Sequence, residues 1–345
     1  MIPVAILGGS GYTGVELMRL IAMHPQLELK AVSSRQYEGQ KVSRVFGALE
    51  PALDLAFCQP DPAALAAAGQ LVFTAVPHQT AMAAVPALLA AGAKVVDLSA
   101  DFRLRSVETY QEWYAPHTCP ELCSDAVYGL PEFYREQIKK ARLVANPGCY
   151  VTSVLVALVP LLRARMVHHE GLIADSASGV SGAGRSAKLG LLHGEVHENF
   201  KAYSVAGHRH TPEMEQELSL AAGQPVRLTF TPHLLPMDRG ILSTIYARPV
   251  AGVDEQAVRE CWQAAYGREP FIRPLGKGLL PATKEVRGSN RVQLGVATDP
   301  RSGILKLFSA LDNLTKGASG QAVQNANLML GLKETAGLGE LAVTP

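Results

Sequence analysis

The feature that constrains this chain most is its opening. Val4-Ala5-Ile6-Leu7 is a short, wholly apolar run of the kind that makes a strand buried on both faces. It leads directly into Gly8-Gly9-Ser10-Gly11-Tyr12-Thr13-Gly14 and then into Val15-Glu16-Leu17-Met18-Arg19-Leu20-Ile21, whose apolar residues recur at helical spacing. Gly9, Gly11 and Gly14 have the dinucleotide spacing in the strand–turn–helix context it requires. Such glycines allow a tight turn and bring the backbone close to a pyrophosphate seated on the helix N-terminus. A chain that opens this way is committed to a parallel α/β sheet.

The next apolar segments extend that sheet. A strand at Leu27–Val32 ends in Ser33-Ser34-Arg35, where an enzyme preferring NAD carries an acidic residue; two hydroxyls and a guanidinium suit the extra phosphate of NADP instead. Leu71–Val76 is a further strand, turning through Pro77-His78 into a helix over Gln79–Ala91 that Gly92 stops, and Lys94–Leu98 begins the next strand. Alternating strands and helices predict a doubly wound Rossmann domain. The stretch from Ala100 to Lys140 is more polar and turn-rich, and Leu143-Val144-Ala145 is the last strand of this half.

That strand delivers Asn146-Pro147-Gly148-Cys149-Tyr150, followed by the apolar run Val151–Val159, which predicts a buried helix starting at or just after Cys149. A thiol there faces unpaired backbone N–H groups and the positive end of the helix dipole, so it is expected to ionise below its free reference of about 8.5. On this stretch alone, a cysteine packed as a small hydrophobe remains an equal reading.

Beyond the helix the pattern changes. Strands are expected over Gly171–Ser178, Val226–Thr231, Ile241–Ala247, Arg291–Thr298 and Leu305–Ala310, with a helix capped by Asp254 and running to Tyr266. They make an α+β domain with a mostly antiparallel sheet. The boundaries read as 1–148 for the nucleotide domain, completed by a C-terminal helix at 316–332, and 149–315 for the catalytic and oligomerisation domain. Residues from Gly337 on read as a loose tail.

Composition narrows the function. The 345 residues, 48% hydrophobic and 18% charged with a formal charge of +1, give no electrostatic case for nucleic acid or an anionic membrane. Apolar runs are broken by Pro86, Gly92 or Pro160 before they reach membrane-spanning length. Five scattered cysteines and no leader pattern fit a reducing cytoplasm. Cys119 and Cys123 lack a second ligand pair at zinc spacing, so no metal is expected.

A dinucleotide site and an activated cysteine point to one reaction class: a thiolate adds to an aldehyde to give a thiohemiacetal, hydride passes to a nicotinamide to leave an acyl thioester, and phosphate releases an acyl phosphate, or the same steps run in reverse. It needs a base and oxyanion donors. Gly207-His208-Arg209-His210-Thr211-Pro212-Glu213 offers two histidines, and Arg103, Arg185 and Arg209 are candidate clamps for phosphate or carboxylate.

Five motifs in order, Gly8–Gly14, Asn146–Tyr150, Gly179-Val180-Ser181-Gly182-Ala183-Gly184-Arg185, Gly207–Glu213 and Asp312-Asn313-Leu314-Thr315-Lys316-Gly317, resemble the N-acetyl-γ-glutamyl-phosphate reductase family, relatives of aspartate-semialdehyde dehydrogenase. The resemblance spans nearly the whole chain. It implies NADPH-dependent reduction of an acyl phosphate to a semialdehyde in arginine biosynthesis, with Cys149 as nucleophile and His208, by analogy with a Gly-His of the relatives, as base. His210, Arg209, Arg185, Arg103 and Asn146 are then expected on the substrate. The expected cofactor set is Gly9, Ser10, Gly11, Tyr12, Thr13, Gly14, Ser33, Ser34, Arg35, Thr74, Pro77, Ser178, Gly179, Ser181, Gly182 and Asn313. The resemblance also implies a homo-oligomer, dimer or tetramer. Two other readings stay open: reduction of a carrier-bound or N-acetylated aminoadipyl phosphate in lysine biosynthesis, and a non-enzymatic nucleotide sensor with a redox-active cysteine.

Overall fold

A computed structural model describes residues 1–343 and divides the chain into two compact units. The first comprises Met1–Pro147 and Ala318–Gly339; the second comprises Gly148–Gly317 with the residues from Glu340 on. The divisions fall at 147/148 and 317/318, where the sequence reading drew them at 148/149 and 315/316.

The first unit is a parallel sheet of β1 (Ile2–Leu7), β2 (Leu27–Val32), β3 (Leu71–Thr74), β4 (Lys94–Asp97), β5 (Val127–Tyr128) and β6 (Leu143–Ala145), in the order β2-β1-β3-β4-β6-β5. Val4, Ala5 and Ile6 are wholly buried, as a strand covered on both faces must be. The order reverses between β1 and β3, so the glycine turn after β1 lies at the switch point where such sheets bind ligands. The helix after β3 runs Ala81–Ala90 and contains Pro86, which cannot donate to the Met82 carbonyl; the Cys119 thiol does so instead, at 3.3 Å. That is the task the structure gives Cys119.

The last helix, Gly320–Met329, belongs to this unit and is buried along its entire length. It carries Gln321, Gln324, Asn325 and Asn327, so its polarity hides its position. Asn325 donates to the Gly129 carbonyl and to Asn146 Oδ1, and Asn327 Oδ1 meets His24 Nε2 at 3.0 Å. The expected start at 316 is taken by a π-turn over Thr315–Ser319. The expected loose tail is packed as far as Leu338, which is buried, and a methyl on Gly337 would collide with the His24 ring.

The second unit is a sheet of β7 (Leu172–Gly179), β8 (Lys201–Ala202), β9 (Leu228–Leu235), β10 (Ile241–Ala247), β11 (Ile272–Pro274), β12 (Val292–Thr298) and β13 (Leu305–Leu311), ordered β11-β12-β13-β10-β7-β9-β8. Pairings β7/β9 and β11/β12 are parallel and the rest antiparallel, so the sheet is mixed with antiparallel pairs in the majority. Burial alternates along β7 and β10: one set of side chains is covered, while Ile173, Leu242, Thr244 and Tyr246 stay partly exposed.

Helix Cys149–Arg163 is the core of this unit. Pro160 would leave the Val156 carbonyl without its i+4 donor; Tyr266 supplies its hydroxyl at 2.8 Å, and the Trp262 indole donates to the neighbouring Ala157 carbonyl at 3.0 Å. Both rings come from helix Glu255–Tyr266, capped by Asp254 as expected. Helix Thr211–Ala222 packs beside the Cys149 helix. Their N-termini meet, and Leu162, Arg165, Ala222 and Gly223 line one cavity of ≈ 430 Å³ at the other end, so the two run parallel. No helix among the described residues is long and apolar enough to cross a membrane.

Candidate active site

In the first unit, the glycine turn is shaped by contact. A Cβ on Gly14 would fall 2.6 Å from the backbone of Gly9, so the helix starts hard against the turn. Gly11, the N-cap of helix Tyr12–Ala22, faces open space and supplies no side-chain cap, and no acidic residue stands in the first turn. The first-turn N–H groups are thus presented to an anion. Ser10 is half-buried, Tyr12 is 40% exposed, and the Thr13 carbonyl accepts from Ser319 Oγ at 2.8 Å.

The expected phosphate-reading group divides. Ser33 is buried; its Oγ accepts from Gly8 N–H at 3.1 Å and its carbonyl from Gly9 N–H at 2.8 Å. Ser34 is buried and its Oγ accepts from Tyr37 N–H at 3.3 Å. These two shape the turn, while Arg35 is exposed. Thr74 is wholly buried and donates to Asp97 Oδ1 at 2.5 Å, while Pro77 is exposed. Burial, then the neighbouring Asp101, pushes the Asp97 carboxyl up to about 6.

Two residues expected on the substrate hold backbone. Arg103, 6% exposed, donates from Nε to the Asn146 carbonyl at 2.7 Å and from Nη2 to the Leu98 carbonyl at 2.9 Å. Asn146 is buried, and its Nδ2 donates to the Ala318 carbonyl at 3.1 Å.

In the second unit, Cys149 is half-buried and is the first residue of its helix, with Gly148 as N-cap. Gly148 N–H donates to Glu213 Oε1 at 3.0 Å. The imidazole of His210 lies over Gly148: a Cβ there would come within 2.5 Å of His210 Nε2. His210 in turn precedes Thr211, so two parallel helices begin at this point and direct two positive dipole ends towards it.

His208 is held differently. Its ring sits 5.6 Å from Tyr150, 5.6 Å from Tyr203 and 5.4 Å from Phe230, and its Nδ1 accepts from His210 N–H at 3.1 Å. Burial, then the Arg209 charge, pulls it down to about 4, so it stands neutral at pH 7. The Tyr203 hydroxyl donates to that of Tyr150 at 3.1 Å, which donates to the His233 carbonyl at 3.0 Å. Burial pushes both phenols up, Tyr203 to about 12. Arg185 and Arg209 are exposed.

The loop after β7 is fastened from below. Ser178 Oγ donates to the Gly179 carbonyl at 3.0 Å, and a Cβ on Gly182 would lie 2.8 Å from that Oγ. Asn313, 2% exposed, donates to Ser181 Oγ at 2.9 Å and accepts from Gly240 N–H at 2.7 Å. Its amide is therefore engaged at both ends within this unit.

Residues 3–141 match the family model for the semialdehyde dehydrogenase NAD binding domain, and residues 149–313 that for the semialdehyde dehydrogenase dimerisation domain. The chain is 52% identical over 346 residues to an N-acetyl-gamma-glutamyl-phosphate reductase of Citrifermentans bemidjiense, covering 100% of both, and 55% identical to that of Magnetococcus marinus, covering 99% of this chain and 98% of the relative. The chain belongs to the N-acetyl-gamma-glutamyl-phosphate reductase family. Solved structures share its fold at low identity. Aspartate semialdehyde dehydrogenase II from Vibrio cholerae superposes with a TM-score of 0.72 at 20% identity, covering 96% of this chain and 99% of that one. The enzyme from Candida albicans, solved with NADP, gives 0.71 at 15% identity and covers 96% and 99%.

Within that family frame, sequence reasoning passed over Glu213 and Asp312. Glu213 had a visible signal, standing three residues into a helix opened by Thr211-Pro212, where a carboxylate favours the N-terminus. Asp312 had none beyond its place in a motif; wholly buried, it pairs with Arg239 at 3.0 Å and accepts from Gly288 N–H at 2.7 Å.

Proposed function

We propose that this chain reduces N-acetyl-γ-glutamyl phosphate to N-acetylglutamate γ-semialdehyde and phosphate with NADPH, the step carried by its reductase relatives. The glycine turn fits a dinucleotide: Gly9, Ser10, Gly11, Tyr12, Thr13 and Gly14 would hold the pyrophosphate, and exposed Arg35 the 2′-phosphate. When bound, NADPH supplies the hydride that reduces the acyl carbon. Cys149 is the nucleophile. Its sulfur bonds to the acyl carbon, the carbon–oxygen bond to phosphate breaks, and the acyl group is held as a thioester.

For the base we exchange the two histidines. The observation that carries this reading is the His210 imidazole lying over Gly148, at the start of the helix that opens with Cys149. His210 takes the thiol proton, would return one to the carbonyl oxygen as hydride adds, and would take that proton back and pass it to sulfur as the carbon–sulfur bond breaks, freeing the semialdehyde and Cys149. His208, neutral and boxed by aromatic rings, receives the His210 N–H and so orients that segment. Arg185 and Arg209, both exposed, are the candidate anion clamps; Arg103 and Asn146 act through the backbone they hold.

The partner we propose is a second copy of the chain on the open sheet face that carries Ile173, Leu242 and Tyr246, in keeping with the matched dimerisation model; sedimentation velocity tests it. The compartment we propose is the cytoplasm, where thiols are kept reduced.

Phosphate-dependent reduction of NADP by N-acetylglutamate semialdehyde, run beside the aminoadipate and aspartate analogues, tests the reaction. The N-acetylglutamate compound is expected to give the highest kcat/KM. A preference for either analogue overturns the substrate, and no turnover with any of them overturns the reading as an acyl-phosphate reductase.

A further inference from the structure

The segment that leads back out of the second unit is more firmly built than a connector requires. Thr315–Ser319 forms a π-turn, an uncommon form often found at functional sites. The buried Asp312 carboxylate accepts from Leu314 N–H at 2.8 Å and Thr315 N–H at 3.0 Å, besides its bonds to Gly288 and Arg239. Thr315 Oγ1 donates to the Ser289 carbonyl at 2.6 Å, and Gly317 N–H to the Asp312 carbonyl at 2.9 Å.

This braced turn ends against the nucleophile. A Cβ built on Gly317 would lie 2.8 Å from Cys149 Cβ and 3.3 Å from Cys149 Cα. Neither atom is the yielding tip of a long side chain. On the neighbouring residue, Gly148 has His210 packed over it and its N–H held by Glu213. Cys149 is thus seated beside two glycines, Gly148 and Gly317, neither of which has space for a methyl group.

We propose that Gly317 is a positioning residue for the reductase reaction: the turn it closes bears on Cys149 Cβ and fixes where the sulfur stands. The proposal rests on the reading of Cys149 as nucleophile. Gly317 acts through Cys149 and touches no substrate. Carbon atoms in ordinary contact stand about 3.5–4.0 Å apart, so a methyl on Gly317 displaces Cys149 or the turn by the better part of an ångström. A misplacement of about 1 Å costs on the order of 10²-fold in rate.

The test is Gly317→Ala in the full chain, beside Gly194→Ala, whose added methyl meets nothing within 4 Å. Gly317→Ala is expected to lower kcat about 10- to 100-fold while KM for acyl phosphate and for NADPH stays within about threefold. Alkylation of Cys149 by iodoacetamide, followed by mass spectrometry against pH, is expected to move to higher pH, because a sulfur shifted off the helix start loses part of its N-terminal field. Gly194→Ala is expected to match the parent in each measurement.

A kcat within about twofold together with an unchanged alkylation profile overturns the proposal, as does a loss carried mainly by KM. Should Gly317→Ala not accumulate as folded protein, Thr315→Val removes the bond to Ser289 without adding bulk beside Cys149. It is expected to move the profile in the same direction, and an unmoved profile overturns the proposal there too. Alkylation needs no substrate, so activity surviving in Cys149→Ser, which would end the nucleophile reading, is told apart from failure of this one.

Discussion

The two functional turns of this chain use glycine to opposite ends. In the first unit, Gly9, Gly11 and Gly14 lie within seven consecutive residues; Gly9 and Gly14 let the turn pack against Val32 and the helix close on the turn, and Gly11 opens the helix onto free space, so that backbone is what the stretch presents. In the second, Gly148 and Gly317 are far apart in sequence, and each makes room for a side chain, the His210 ring in one case and Cys149 Cβ in the other. A site that recognises with main chain can be written in one local stretch. A site that reacts through side chains has to be assembled from several.

That contrast can be broken most sharply at Cys149. Cys149→Ser is expected to keep its fold and its NADPH binding yet lose roughly 10⁴–10⁶-fold in kcat, because an alcohol is a far weaker nucleophile at neutral pH. Mixing the parent with acyl phosphate and no reductant should leave a mass adduct on Cys149; an adduct on Cys58 or Cys261 would move the chemistry elsewhere.

Next in size is the division between the histidines. His210→Asn is expected to cut kcat by about 10²–10⁴-fold, the worth of a positioned base, and His208→Asn by far less. Steady-state kinetics with the two variants in the reverse order of severity would return the base to His208.

His208 sharpens the comparison on the stability side. Its folded value is near 4 against 6.5 unfolded, so on acidification the unfolded chain takes up the proton first. Stability therefore falls between 6.5 and about 4, by up to about 3 kcal/mol. Asp97 in the first unit has the opposite sign: its folded carboxyl protonates near 6 against 3.8 unfolded, so acid stabilises that unit across this window. Thermal unfolding followed from neutral to acid pH should show a shallower acid loss in His208→Asn and a steeper one in Asp97→Asn. Parallel curves for all three proteins would mean that neither group titrates as its surroundings dictate.

The smallest effect belongs to Arg35. Arg35→Ala is expected to raise KM for NADPH about tenfold, one lost charge-assisted contact, and to leave NADH alone. Equal changes for both cofactors would show that the 2′-phosphate is read elsewhere.

The same contrast explains what the sequence disclosed. The parallel sheet and its glycine turn were legible because strand, turn and helix adjoin, and the period of apolar residues changes across them. The helix that opens with Cys149 was legible because it is apolar enough to declare itself. The choice between His208 and His210 was not, since alternation along a strand says nothing about a loop that ends in a helix cap; the proposed exchange rests on the His210 ring lying over Gly148, far away in the chain. Helix Gly320–Met329 misleads for another reason. Asn325 and Asn327 satisfy buried carbonyls and His24, so a core element carries a surface composition.

The division of the chain at 147/148 and 317/318 also sets an order of manufacture. Most of the second unit, Gly148–Gly317, is one insertion between the two parts of the first, which takes its last helix from residues beyond 317. During synthesis the nucleotide unit therefore begins first and receives its last helix only after Gly317 has been made. At about 5–20 residues per second, translation of Gly148–Gly317 alone takes on the order of ten seconds or more. Throughout that interval the place of Gly320–Met329 stands empty, exposing the His24 imidazole and the Gly129 carbonyl that the helix will later satisfy. A chain that stops between Gly317 and Gly320 is thus expected to carry a nucleotide unit that never receives the helix its buried polar groups require.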